Sequence, residues 1–133
     1  MGVITRTLEQ EKDLSVFTVV DDVDAKQILD EVLGFLTGEP THLVLWDLRA
    51  GSLTRVTPAG LRLIAERATE MAYRRKGGRT AIVCSTDVDY GLSRMFQTFA
   101  ELLQAPVEFV VSRDIASARE WLYGLASDRV HFK

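Results

Sequence analysis

The sequence is short of the residues that build several kinds of site. Its 133 residues include one cysteine, Cys84, so an internal disulfide is excluded and a reducing compartment is expected. Two histidines are present, His42 and His131, and no group of cysteines and histidines has the spacing of metal ligands. We therefore expect no metal site and no cofactor.

Long apolar runs and excess positive charge are also missing. No apolar segment approaches the roughly 20 residues that cross a bilayer. The first residues, MGVITRTLEQEKD, are polar and lack the core of a signal peptide. The formal net charge is −3, whereas domains that bind nucleic acid usually carry a basic surface. These absences predict a cytoplasmic protein with no membrane span and no nucleic-acid partner.

The segments that are present alternate between strand-like and helix-like patterns. Residues 3–9 and 14–20 are β-rich runs on either side of a charged bend, which predicts an antiparallel hairpin. Three further apolar runs, 43–46, 80–84 and 107–111, are separated by segments with helical spacing. We therefore predict one α/β domain over residues 1–133, with a mixed, mostly parallel sheet of about five strands and four helices in the order β-β-α-β-α-β-α-β-α.

Capping residues mark the start of each predicted helix. Asp22 or Asp24 precedes the first helix, Thr57 the second, one of residues 85–87 the third and Asp114 the fourth. The second helix ends at Arg74-Arg75-Lys76, where positive charge complements the helix dipole. The predicted inward-facing residues of the second and third helices are Leu61, Ile64, Ala65, Ala68, Met71, Ala72, Leu92, Met95, Phe96, Phe99, Leu102 and Leu103.

The polar bend between the strand at 43–46 and the second helix is the main candidate site. Thr57 and Pro58 suit the N-cap and first position of a helix, and free N–H groups beyond Thr57 could accept an anion or a partner's carboxylate. Arg49 and Arg55 would add positive charge, and Asp47 would position the bend. A solvated loop with an ordinary cap is the alternative. The candidate residues are Asp47, Arg49, Ser52, Thr54, Arg55, Thr57, Pro58, Ala59 and Gly60.

Two other groups could carry chemistry. Acids and hydroxyls at predicted strand ends, Asp21-Asp22, Asp47 and Ser85-Thr86, could form a phosphoacceptor pocket like that of response-regulator receivers, with Asp47 as the acceptor. Caps and turns explain the same acids more simply. Cys84 follows a strand and precedes a helix, as a nucleophile could, but no histidine is well placed beside it, so we predict a small buried hydrophobe.

The chain resembles the STAS domain family, in particular its soluble SpoIIAA-like (STAS/SEC14-type) branch. The stretches that carry the resemblance are LVLWDLRAG followed by TPAGLRLIAERA, then GGRTAIVCSTDVDYGLSRMFQTFAEL and the closing RDIASAREWL. In antagonists of anti-sigma factors, the matching helix start reads Asp-Ser-Ser-Gly-Leu and its first serine is phosphorylated. Pro58 stands at that serine's place and Ala59 at the next, which implies that the usual phosphoswitch is lost, with Thr57, Ser52 or Thr54 as substitute acceptors.

The resemblance implies a non-enzymatic binding or regulatory module that acts through the bend and the start of the second helix. Its partner would be a protein or a small ligand, and a homodimer stays open. A carrier of lipids or small apolar ligands, of the SEC14 type, is one alternative, with Met95, Phe96 and Phe99 lining a pocket. A receiver-like phosphoacceptor at Asp47 is the other.

Overall fold

The structure, a computed structural model, describes residues 1–124 and contains one five-stranded sheet with the strands in sequence order. The first pair is antiparallel and the other three pairs are parallel. The predicted α/β architecture is therefore confirmed. The strands are β1 (Val3–Glu9), β2 (Leu14–Asp22), β3 (Leu43–Ser52), β4 (Arg79–Val83) and β5 (Glu108–Ser112). The helices are α1 (Ala25–Thr37), α2 (Pro58–Met71), α3 (Asp87–Leu102) and α4 (Ile115–Leu122).

Helices cover the two faces of the sheet unequally. The right-handed crossovers between parallel strands place α1, α2 and α3 together on one face. Alternate strand residues point to that face, among them Phe17, Val19, Trp46 and Leu48. On the other face, α4 packs over β3, β4 and β5, against side chains of the opposite parity. The core of that face includes Leu14, Leu45, Ala81, Val83, Val110, Ala118, Trp121 and Leu122.

Side-chain caps begin all four helices, as predicted. Asp24, not Asp22, caps α1 in a capping box, because its carboxylate accepts from the Gln27 amide at 2.9 Å while the Gln27 side chain accepts from the Asp24 amide. Thr86 caps α3 by accepting from the Asp89 amide at 3.2 Å. In each helix, the cap is the residue whose side chain accepts a hydrogen bond from the amide three positions later.

Three predicted positions are wrong in detail. Leu102 and Leu103, the last residue and the C-cap of α3, are 75% and 38% exposed and do not face inward. Arg75 is not in the last turn of α2 as predicted, since α2 stops at Met71 and a 3-10 turn over Ala72–Arg75 carries the guanidinium inward. Leu125, which helical spacing predicts on the inward face of the fourth helix, and His131 lie outside the described residues.

Arg75 instead joins the starts of β3 and β4 from inside the protein. Its Nε donates to the Thr41 carbonyl at 2.8 Å, one terminal nitrogen to the His42 carbonyl at 2.8 Å, and the other to the Thr80 hydroxyl at 3.0 Å. Burial lowers the pKa of Arg75 to about 10, with an exposed fraction of 6%. The positive charge is thus held by carbonyl oxygens, which satisfy its donors without a carboxylate.

Candidate functional site

The predicted bend begins later than its polar composition indicates. β3 runs to Ser52, so residues 49–52 form the end of a strand and not a loop. A bulge lies after Asp47, and beyond it Ala50, Gly51 and Ser52 pair with the end of β2. A Cβ on Gly51 would lie 2.6 Å from Val19 Cγ1 and 2.8 Å from the Val19 carbonyl oxygen, so only glycine allows this approach.

The true β3–α2 loop spans residues 53–57 and is anchored by two apolar side chains. Leu53 and Val56 are 6% and 4% exposed, whereas Thr54 and Arg55 between them are exposed. The Leu53 amide donates to the buried Asp89 carboxylate at 2.9 Å, and the Val56 amide donates to the Leu53 carbonyl at 2.8 Å. The anchors and hydrogen bonds fix the backbone, so the loop displays Thr54 and Arg55 at a defined tip.

The start of α2 satisfies most of its own amides. The Thr57 hydroxyl accepts from the Gly60 amide at 3.0 Å, the Thr57 carbonyl accepts from the Leu61 amide at 2.9 Å, and Pro58 has no N–H. Of this turn, the Ala59 amide alone has no acceptor within residues 1–124. The predicted cap and N1 proline are therefore confirmed, but the expected row of free amides is reduced to a single donor.

Asp47 and Arg49 lie at the same sheet edge as this loop but on the other face. Asp47 lies two residues after Leu45 and so points to the same face, the one covered by α4, and Arg119 of α4 contributes to lowering the Asp47 pKa. The main cause of that lowered pKa is Arg49, whose Nε and a terminal nitrogen donate to the two carboxylate oxygens at 3.0 and 2.9 Å. Asp47 also accepts from the Arg49 amide at 3.1 Å, so the pair closes the bulge and neutralises its own charge.

The remaining polar candidates divide between the strand end and the loop. The Ser52 and Thr54 hydroxyls lie 2.9 Å apart, and the Thr54 amide donates to the Ser52 hydroxyl at 3.1 Å. Ser85, from the segment before α3, donates to the Arg49 carbonyl at 3.2 Å. The structure therefore groups residues 52–60 around one loop. The Asp47–Arg49 pair lies apart from them, on the opposite face of the sheet.

Sequence reasoning missed Asp89, which holds the loop from below. The residue is 1% exposed although it lies in the first turn of α3, where an acid is ordinarily attributed to the helix dipole. The signal was its phase. Asp89 lies four and seven positions before Ser93 and Phe96, both of which face inward, so the spacing assigned the carboxylate to the buried side.

The acids at the strand ends do not assemble as a receiver pocket would require. Asp47 pairs with Thr18 in the sheet, whereas Asp21 and Asp22 lie beyond the bulge beside Gly51 and Ser52. Within residues 1–124, no three carboxylate, histidine or cysteine side chains are grouped to hold a metal ion. Cys84 is fully buried, and this burial is the main reason why its pKa is raised. The prediction that Cys84 is a small core residue is confirmed.

An apolar cavity of about 110 Å³ lies between the helical layer and the sheet. Of the three aromatic and methionine residues predicted to line a pocket, Phe96 borders this cavity, whereas Met95 and Phe99 pack beside the neighbouring core cluster. The volume is below the ~300–1,000 Å³ of pockets that take drug-sized ligands. It therefore does not suit a lipid with long acyl chains.

Comparison with known proteins identifies the fold. No protein-family model and no curated protein matches the sequence. Among solved structures, an anti-sigma factor antagonist from Mycobacterium paratuberculosis is similar at 14% identity and a TM-score of 0.59, over 92% of this chain and 94% of that one. An uncharacterised protein with a SpoIIAA-like fold from Shewanella loihica is similar at 17% identity and a TM-score of 0.55, over 91% and 93%. No helix within residues 1–124 has the length and apolarity needed to cross a membrane.

Proposed function

We propose, proceeding from the SpoIIAA-like fold of this chain, that it is a non-enzymatic regulatory module that binds a partner protein. The contact surface would consist of the β3–α2 loop and the start of α2, with the exposed residues Thr54 and Arg55 at its centre. One of the two similar structures is an anti-sigma factor antagonist, whose partner is by that description a protein. The proposed surface residues are Ser52, Thr54, Arg55, Thr57, Pro58, Ala59 and Gly60; Asp47 and Arg49, which the sequence grouped with them, pair with each other on the opposite face.

The observation that carries this proposal is the fixed display of Thr54 and Arg55. Both side chains are exposed, while Leu53 and Val56 on either side are buried and the Leu53 amide is bonded to Asp89. A surface that is already ordered loses less conformational entropy when a partner binds. A loop that served only to connect a strand to a helix would not need a buried carboxylate to hold its backbone.

The charge of the surface favours a partner with acidic or polar groups. Arg49 is neutralised by Asp47 at 2.9 Å, whereas Arg55 makes no ion pair with any of residues 1–124. An exposed arginine at the centre of an interface offers a planar set of donors for a carboxylate. The start of α2, with one amide left, is a weaker anion site than the sequence predicted.

Binding by this surface would not be switched by phosphorylation at the usual place. Pro58 occupies the first position of α2, where the resemblance to antagonists places the phosphoacceptor serine, and proline has no hydroxyl. The Thr57 oxygen is already the helix cap. We therefore expect that treatment with a kinase does not change the affinity for the partner through phosphorylation of this turn.

Photo-crosslinking from position 54 tests the proposal. A photoreactive residue at Thr54 should give a specific crosslinked protein in native cell extract, and Arg55→Glu in the same chain should remove it. The matched control places the photoreactive residue at Thr98, an exposed threonine of α3 away from the loop. Identical crosslinks from both positions, or a crosslink at 54 unaffected by Arg55→Glu, would contradict the proposed surface.

A further inference from the structure

The apolar cavity arises from small residues on one side of α2. Ala65 and Ala68 both point from α2 toward the sheet, and Ala72 continues the same row in the 3-10 turn. Each contributes only a methyl group across from large side chains, including Trp46 and Phe96. Since protein interiors are usually packed without voids larger than a water molecule, a space of about 110 Å³ needs an explanation.

One polar group borders this space without a strong partner. Ser93 of α3 is 1% exposed and lines the cavity, and its hydroxyl has no hydrogen-bond partner by geometry among the described residues. The Cys84 thiol lies within reach of the Ser93 hydroxyl, but sulfur is a weak hydrogen-bond acceptor and leaves the hydroxyl poorly satisfied. An unsatisfied buried hydroxyl is costly, so a ligand that bonded to it would remove a penalty already present in the empty protein.

Arg75 borders the cavity as well but has little left to offer a ligand. Its guanidinium donates to the carbonyls of Thr41, His42 and Arg79 and to the Thr80 hydroxyl. A charged ligand would therefore meet few free donors and would lose its hydration on entering an apolar space. Neutral molecules are favoured.

We propose that this cavity binds a small neutral apolar molecule carrying one hydroxyl or carbonyl group, with that group hydrogen-bonded to Ser93. An engineered apolar cavity of about 150 Å³ takes benzene, so a space of about 110 Å³ limits the ligand to about one six-membered ring with a small polar group. Small cyclic or aromatic alcohols and ketones fit this description. Long-chain lipids do not.

Phenol and benzene form a probe pair that differs by one hydroxyl. Titration into the isotopically labelled protein should shift the indole N–H signal of Trp46, which lines the cavity, in a saturable way. Trp121 lies on the opposite face of the sheet and should not shift, so the second of the two tryptophans is an internal control. Ser93→Ala should weaken phenol about fivefold and leave benzene unchanged, as expected for the loss of one hydrogen bond.

A filling variant provides the second test. Ala68→Leu should abolish binding of both probes while keeping or raising the melting temperature, because the added side chain occupies the void. Ala116→Leu, the same change at an exposed site of α4, should leave binding intact. If Ala68→Leu fails to fold, Ala65→Val makes a smaller reduction of the same space.

Three results would overturn the proposal. They are the absence of saturable shifts at Trp46, binding that persists in a folded filling variant, and an equal effect of Ser93→Ala on phenol and benzene. Titration with benzoate, a charged probe of similar size, distinguishes Ser93 from Arg75 as the polar contact. If benzoate binds more tightly than phenol, the polar group is charged and lies at Arg75, and the assignment to Ser93 is wrong.

Discussion

The two faces of the sheet differ in the number of helices that cover them and in how those helices pack. Over β3, β4 and β5, the short helix α4 is held by a continuous apolar cluster around Trp121, Ala118 and Leu122. On the other face, three longer helices border a partly open cavity, and buried polar groups such as Asp89 and Arg75 fix the segments around it. The face with more helix is the one that contains this cavity, so the amount of helix alone does not measure how well a core is filled.

Truncating one large side chain on each face is the strongest test of this comparison. Trp121→Ala should cost about 3–5 kcal/mol of unfolding free energy, because the buried indole is the largest side chain in the apolar cluster that holds α4. Phe96→Ala should cost roughly half as much, since its ring is half-buried and already borders a void. Urea unfolding would measure both. Equal costs would mean that the two faces are packed alike.

Removing Asp89 tests the polar support of the helical face. Asp89→Ala should cost about 2–3 kcal/mol, because the Leu53 amide would lose a charged acceptor in a buried position. Asp87→Ala is the matched control in the same helical turn. Its carboxylate is 92% exposed and pairs with Arg113, so its loss should cost less than about 1 kcal/mol. If both variants have the same midpoint of unfolding, Asp89 does not hold the loop.

Replacing the α2 cap is expected to have a smaller effect. Thr57→Ala should cost about 1 kcal/mol, because the Gly60 amide would lose its acceptor. Thr54→Ala, at the exposed tip of the same loop, should change stability by no more than about 0.5 kcal/mol. Thermal unfolding would compare the two variants. A melting temperature of Thr57→Ala equal to that of the wild type would show that the Thr57 cap does not stabilise α2.

The ion pair between Glu9 and Arg119 ties α4 to the edge strand and should make a small, pH-dependent contribution. The side chains meet at 3.0 Å and are each about one-third exposed. The bond from Arg119 lowers the pKa of Glu9 below its usual 4.5, so the stabilisation is present above about pH 4.5 and is lost as the pH falls through the lowered value. Solvent screening limits it to about 1 kcal/mol or less.

Glu9→Gln would measure that contribution. The variant should be less stable than the wild type at pH 7, and the difference should disappear in acid below the lowered pKa of Glu9. Glu11→Gln is the control, because Glu11 is exposed and makes no ion pair with any of residues 1–124. A difference between Glu9→Gln and wild type that stayed constant down to pH 2 would show that the pair does not titrate as described.

Much of the architecture could be predicted because its signals are local. The hairpin, the alternation of strands and helices, and the caps at Thr57 and Asp114 each depend on residues close in the chain. The extent of β3 could not be predicted in the same way. Residues 49–52 are polar and include Gly51, as in a loop, and only pairing with the end of β2 across a bulge makes them a strand.

The geometry around the candidate loop could be predicted from sequence only in part. The Thr57 to Gly60 helix start was found from the cap and proline signals. That Asp47 and Arg49 lie on the opposite face follows from strand alternation once the bulge is known. Asp89 and Ser85 come from a segment more than 30 residues away, and no spacing within the loop indicates them.

The sequence by itself determined the order of elements, the caps and the apolar faces, because hydrogen-bonding side chains and hydrophobic periodicity act over a few residues. Only the tertiary structure decided that Arg75 would be buried, that Asp89 would accept from the Leu53 amide, and that a row of alanines would leave a cavity beside Ser93. The reason is geometric: whether a side chain fills space or leaves it empty depends on what the facing element brings, and those elements meet only on folding.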